Sequence, residues 1–78
     1  MIRVKVFPPR GCERSALDER GWLEMPEGST VADVLKIIRC SRARAKLLMV
    51  SLNGVKTNLN AELRDGDVLG FFALIAGG

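Results

Sequence analysis

The sequence contains no histidine and no tyrosine, and only one tryptophan, three phenylalanines, three prolines and two cysteines. Each scarcity excludes something. Without histidine the commonest general base near neutral pH is missing, and so is the usual nitrogen ligand of zinc. Cys12 and Cys40 form no CxxC pair and have no imidazole to deprotonate them. Neither is therefore expected to be a catalytic or metal-ligating residue. Two distant thiols in an intracellular chain are expected to stay reduced. No catalytic residue and no metal site is assigned. No apolar run approaches the roughly 20 residues of a membrane span. Met1-Ile2-Arg3-Val4-Lys5-Val6 alternates, unlike the apolar core of a secretory signal. A cytoplasmic protein with no membrane partner is expected.

The chain has 78 residues, 47% hydrophobic and 27% charged, with a net charge of +3. Those proportions suit one soluble globular domain spanning 1–78. A chain this short buries about 60–65% of its unfolded surface, too little for a deep active site with layers of support. Lys36, Arg39, Arg42, Arg44 and Lys46 form a basic stretch with no acidic residue among them. A solvated helix end, with cations complementing the macrodipole, is the simpler reading; a patch for an acidic partner or nucleic acid competes with it. No aromatic residue interleaves the cations to stack on bases, so nucleic acid is not the expected partner.

Ile2, Val4 and Val6 alternate with Arg3 and Lys5, the period of a half-buried strand. Phe7 breaks the alternation, and Pro8-Pro9 ends the strand. Residues 10–21 read as a polar loop, with a turn of helix around Ala16-Leu17. Trp22-Leu23-Glu24-Met25 is the returning strand, with Leu23 and Met25 inward. Thr30 is placed as an N-cap, with Asp33 completing a short capping box. Val31, Val34, Leu35 and Ile38 share one helical face, and the helix is expected to run from Val31 to about Cys40. Leu47 to Leu52 is a strand. Asn53-Gly54 signals a type I′ turn, and Val55-Lys56 the short partner strand. Leu59 and Leu63 are expected inward from a loop or single helical turn. Arg64-Asp65-Gly66-Asp67 is a turn with Gly66 at positive φ. Val68 to Leu74 is the last strand. The order β-β-α-β-β-β fits an α+β domain with one helix across one face of a mixed sheet.

The sequence ends Phe71-Phe72-Ala73-Leu74-Ile75-Ala76-Gly77-Gly78. It stays apolar almost to the end and closes on two glycines, which lack a Cβ and pass where other residues clash. A frayed terminus is the plain reading; a tail that threads a narrow channel is the functional one. Alternation places Leu69 and Phe71 on one side of the last strand and Gly70, Phe72 and Leu74 on the other. With Leu69 and Phe71 toward the helix, Phe72 and Leu74 face outward as a docking surface. The reverse assignment makes Phe72 core.

Four segments in this order resemble the ThiS/MoaD family of sulfur carrier proteins: Pro26-Glu27-Gly28-Ser29-Thr30-Val31-Ala32-Asp33-Val34-Leu35, Val50-Ser51-Leu52-Asn53-Gly54, Leu63-Arg64-Asp65-Gly66-Asp67-Val68 and Ile75-Ala76-Gly77-Gly78. The resemblance covers nearly the whole chain. It implies a ubiquitin-like β-grasp, with the first and last strands adjacent at the sheet centre. It implies residues 73–78 as a flexible tail of roughly 20 Å when extended. It also implies chemistry done by partners. An E1-like enzyme uses ATP to adenylate Gly78, sulfur displaces AMP to leave a thiocarboxylate, and a synthase takes that sulfur. Ile75, Ala76 and Gly77 would thread the partner's active site, while Phe72 and Leu74 dock. The chain would then be a carrier, not an enzyme, with no cofactor bound permanently. The accepting synthase is either the molybdopterin synthase large subunit or thiazole synthase. The Ile-Ala-Gly-Gly ending resembles the thiamine-pathway carrier. The long first loop and the Val50–Leu63 segment resemble the molybdopterin type. The basic balance departs from both. Activation followed by attachment of Gly78 to lysines, as in a ubiquitin-like modifier, is the alternative.

Overall fold

The alternating first strand is where the sheet begins. The computed structural model describes residues 1–40 and 48–73. In β1 (Ile2–Phe7), Ile2, Val4 and Val6 are buried while Arg3 and Phe7 are exposed. β2 (Trp22–Met25) returns antiparallel to it, pairing Val4 with Leu23 and Ile2 with Met25, so the buried residues of both strands share one face. β3 (Leu48–Leu52) and β4 (Val55–Thr57) form a hairpin. Asn53 and Gly54 both have positive φ, 53° and 82°, as a type I′ turn requires. β5 (Val68–Ala73) lies parallel to β1 and antiparallel to β3. The sheet order is therefore β2-β1-β5-β3-β4, a mixed five-stranded sheet with the first and last strands side by side at its centre. This is the α+β, β-grasp arrangement expected above.

One short helix covers the inner face. α1 (Val31–Ile37) buries Val31, Val34 and Leu35, and Ile38 just beyond it is fully buried. The Asp33 carboxylate accepts the Thr30 N–H at 2.9 Å and the Thr30 hydroxyl at 3.2 Å, closing the first turn. That accepted backbone N–H, first among the causes, holds the Asp33 pKa below the ordinary aspartate value.

The helix is shorter than the expected run to Cys40. It stops because Arg39 takes the left-handed conformation, φ 55°. The Cys40 N–H then returns to the Leu35 carbonyl at 2.9 Å and the Arg39 N–H to that of Lys36 at 3.3 Å. These two bonds make a Schellman stop with arginine where glycine is usual. The core joins Ile2, Val4, Val6, Leu23 and Met25 from the sheet, the helical face, and Leu63 and Leu69.

Two further expectations are corrected. The loop between β1 and β2 carries no helical turn at Ala16-Leu17; it is built of turns, with the Leu17 N–H on the Arg14 carbonyl at 3.0 Å. Asp18 organises its end. Its Oδ1 accepts the Arg20 and Trp22 N–H groups at 2.8 and 2.9 Å, and its Oδ2 meets Arg3 Nη2 at 3.2 Å. The Trp22 N–H is the main reason the Asp18 carboxyl stays below its ordinary pKa.

Nor are the two cysteines separate thiols: Cys12 and Cys40 are joined as a disulfide, their Cα atoms 5.4 Å apart. The loop and the helix stop converge on this point, which sequence distance conceals. The segment Asn58–Leu63 forms a turn with Leu63 buried and Leu59 packed against the core. Gly66 has a φ of 87°, as its turn requires.

Candidate docking face on the last strand

β5 is held on both sides, so its side chains have fixed directions. Register pairs Val6 with Leu69 and Leu52 with Leu69, and it pairs Val50 with Phe71. These residues point toward the helix. Leu69 has no exposed surface, and Phe71 is half-buried against the core. Lys5 with Val68, Phe7 with Gly70, and Met49 with Phe72 point the other way. Phe72 is 58% exposed and Phe7 55%. The outward assignment of Phe72 is the one found. Leu74, Ile75, Ala76, Gly77 and Gly78, the other site residues expected from sequence, lie outside the described residues, as do positions 41–47 of the basic stretch.

The Phe72 ring lies back along the strand over Gly70: a Cβ placed there would meet Cε2 and Cζ of Phe72 at 3.5 Å, ordinary contact distance. Phe7 stands across Gly70 on the neighbouring strand. The result is an open apolar face of Phe7, Met49, Val68 and Phe72 on the side away from the helix. Cations border it. The Lys5 ammonium lies 5.6 Å from the Phe7 ring centroid, and the Arg3 guanidinium 5.2 Å from that of Trp22, both in cation–π range. Phe7 was not singled out as a site residue from sequence. Its signal was there: it continues the outward parity of Arg3 and Lys5, with an apolar side chain where a polar one belongs.

Among the described residues, no group of three or more Cys, Asp or Glu side chains could hold a metal ion. The two aspartates with lowered pKa, Asp18 and Asp33, are both engaged in holding backbone turns. No helix of the described residues is long and apolar enough to cross a membrane. What the face offers is exposed aromatic surface directly upstream of the last residues of the chain.

The ThiS family model matches residues 14–78, from the first loop to the final glycine. The chain belongs to the ThiS family. Two solved structures share the fold of this ThiS-family chain. One is a Pyrococcus furiosus protein described as molybdopterin converting factor, subunit 1. It is 25% identical, with a TM-score of 0.60, covering 95% of this chain and 97% of that one. The other is a complex of subunits 1 and 2 of the molybdopterin-converting factor from Helicobacter pylori. The matched chain is 21% identical, with a TM-score of 0.55, covering 99% of this chain and 97% of that one. At that identity the second likeness speaks for the fold. No curated protein matches the chain.

Proposed function

We propose that this ThiS-family chain is a sulfur carrier for cofactor biosynthesis, with Gly78 as the atom-bearing end. The observation that carries the reading is the course of β5. The central strand of the sheet, flanked by β1 and β3, leads in sequence to Ile75-Ala76-Gly77-Gly78 and bears the exposed Phe72 on the way. A terminal carboxylate has a pKa of about 3.3–3.7 and is ionised at neutral pH, which makes it a poor electrophile. An E1-like enzyme supplies the activation. The Gly78 carboxylate attacks the α-phosphorus of ATP, pyrophosphate leaves, and an acyl adenylate forms. A sulfur nucleophile then displaces AMP at the carbonyl carbon and leaves a thiocarboxylate.

The chain's own residues position rather than catalyse. Phe72, with Leu74 beyond it, docks on the partner, and Ile75, Ala76 and Gly77 pass into its active site. β5 holds the ladder as far as Ala73, paired with Leu48. The five residues beyond it span at most about 17 Å fully extended. That length takes a carboxylate into a cleft while the sheet stays at its mouth. The absence of histidine from the sequence agrees with a carrier that leaves acid–base work to others.

The partners are the activating enzyme and a synthase that accepts the sulfur. The similarity to molybdopterin converting factor subunit 1 favours the large subunit of a molybdopterin synthase over thiazole synthase, with the carrier as the non-catalytic small subunit. The setting is the cytoplasm, where ATP is available.

The test is pyrophosphate release by the host's E1-like enzyme with ATP. Release that depends on the added chain, and disappears when Gly78 is deleted, supports the reading. Release unchanged by that deletion contradicts it.

A further inference from the structure

The carrier reading makes no use of either cysteine, yet the two sulfurs are bonded. We propose that the Cys12–Cys40 disulfide is a thiol-exchange site, and that its reduction frees the 8–21 loop from the end of α1. The inference is independent of the carrier reading and goes beyond it.

Three observations support a bond that opens locally. First, the sulfurs differ in access. Cys12 lies half-buried in the loop, whereas Cys40 is 9% exposed at the helix stop. An incoming thiolate therefore meets Cys12. It attacks Cys12 Sγ, the S–S bond breaks, and Cys40 leaves as a thiolate that takes up a proton. The second thiol of a dithiol reductant attacks the mixed disulfide and releases Cys12, which is protonated in turn. The reductant leaves as its own disulfide, so two electrons and two protons have passed to the protein.

Second, few other ties join the loop to the helix end among the described residues. The Glu13 N–H donates to the Ile38 carbonyl at 2.8 Å. Glu13 Oε2 and Arg39 Nε are 3.6 Å apart, with both side chains more than half exposed. A solvent-exposed pair of that kind holds weakly. Leu17 adds packing against the core. The far end of the loop stays tied to the sheet, through the Val6 N–H on the Gly21 carbonyl and Asp18 on Trp22 and Arg3, so opening is local to the part around Cys12 and Glu13.

Third, the bond lands on strained backbone. Cys40 follows Arg39, which holds a left-handed conformation that a non-glycine residue adopts at a cost. The disulfide fixes the residue immediately after that position. Loss of the bond therefore loosens the helix stop together with the loop.

The loop also walls a hollow of about 410 Å³, lined by Val6, Phe7, Pro8, Arg14 and Leu17. Phe7 is common to this hollow and to the outward apolar face. In a reducing compartment a disulfide is usually transient or redox-sensing, which is the behaviour inferred here.

The experiment is native-state alkylation with iodoacetamide, read by intact mass, together with amide hydrogen exchange on the same full chain. Air-oxidised protein should take no label and be lighter by two hydrogens than the reduced form. Dithiothreitol without denaturant should expose both thiols. It should speed exchange at least tenfold at Glu13 and at Cys40, whose amides bond to Ile38 and Leu35, while Val4, inside the β1–β2 ladder, and Leu69 stay protected. Reoxidation should restore protection. Native oxidised protein that labels at both cysteines overturns the pairing. A bond that dithiothreitol reaches only after global unfolding, or reduction that leaves Glu13 exchange unchanged, overturns the exchange site. A Cys12→Ser, Cys40→Ser double variant should show the fast loop exchange whatever the redox buffer; slow exchange there would contradict the clasp.

Discussion

Truncating Phe72 separates a docking residue from a core one within a single strand. Phe72 and Leu69 both belong to β5 and both pair into β3, yet Phe72 is 58% exposed and Leu69 fully buried. Complete burial of a large apolar side chain contributes about 1.5–3 kcal/mol, so Phe72, less than half covered, holds about 1 kcal/mol of folding stability. In a domain of this size that corresponds to a melting shift of about 4–8 °C. Leu69→Ala removes buried methyl groups from the sheet centre and leaves a cavity, at a cost of about 2–5 kcal/mol. That is a large share of the roughly 4–12 kcal/mol available to 78 residues.

Binding should rank the other way. A central aromatic anchor contributes about 2 kcal/mol or more at an interface, so Phe72→Ala should weaken binding to the activating enzyme about 30-fold. Thermal melts of both variants, with titration calorimetry on the folded Phe72→Ala protein, make the comparison. A melting loss for Phe72→Ala as large as that for Leu69→Ala, with an unchanged Kd, refutes the docking assignment.

The disulfide closes a loop with a sequence separation of 28, and chain entropy alone assigns that closure about 3–4 kcal/mol. The Cys12→Ser, Cys40→Ser variant should therefore melt about 15–25 °C lower than oxidised protein; equal melting temperatures would contradict a bond formed in solution. Asp18 and Asp33 have lowered pKa values, chiefly from the Trp22 and Thr30 N–H groups. A depressed folded-state value means folding favours the ionised form. The resulting stability is complete above the unfolded value of about 3.9 and is lost as pH falls through the lower folded values. Urea midpoints should therefore drop below about pH 4, and Asp33→Asn should flatten part of that slope; an identical slope in the variant refutes the assignment. Gly66→Ala forces a side chain onto a φ of 87° with open space around it, so only backbone strain is added. It should cost about 1–2 kcal/mol by chemical denaturation, and a neutral result would contradict the turn geometry.

Much of this fold was legible because parity and period dominate small sheets. Ile2, Val4, Val6, Leu23 and Met25 declared their face by alternation, and Val31, Val34, Leu35 and Ile38 declared theirs by helical spacing. Asn53-Gly54 fixed the β3–β4 register. The parallel pairing of β1 with β5 was not in any periodicity and came only with the family resemblance. The helix end was overestimated because Arg39 fills a left-handed position that sequence normally marks with glycine. Nothing in the sequence joins Cys12 to Cys40, because only the course of the loop and the helix stop bring them together. At the site, strand parity set Phe72 opposite Leu69 and Phe71 but left open which side is the core; the burial of Leu69 decides it, whereas Phe7 needs the neighbour relation across Gly70 to become part of the same face.

The proposed thiocarboxylate on Gly78 is read by intact mass after the full chain is incubated with the host's E1-like enzyme, ATP and a sulfur source. The expected result is a gain equal to the difference between one sulfur and one oxygen, located on the C-terminal peptide and absent when Gly78 is deleted. An unchanged mass while pyrophosphate is released, or a gain located on Cys12 or Cys40 instead, would contradict it.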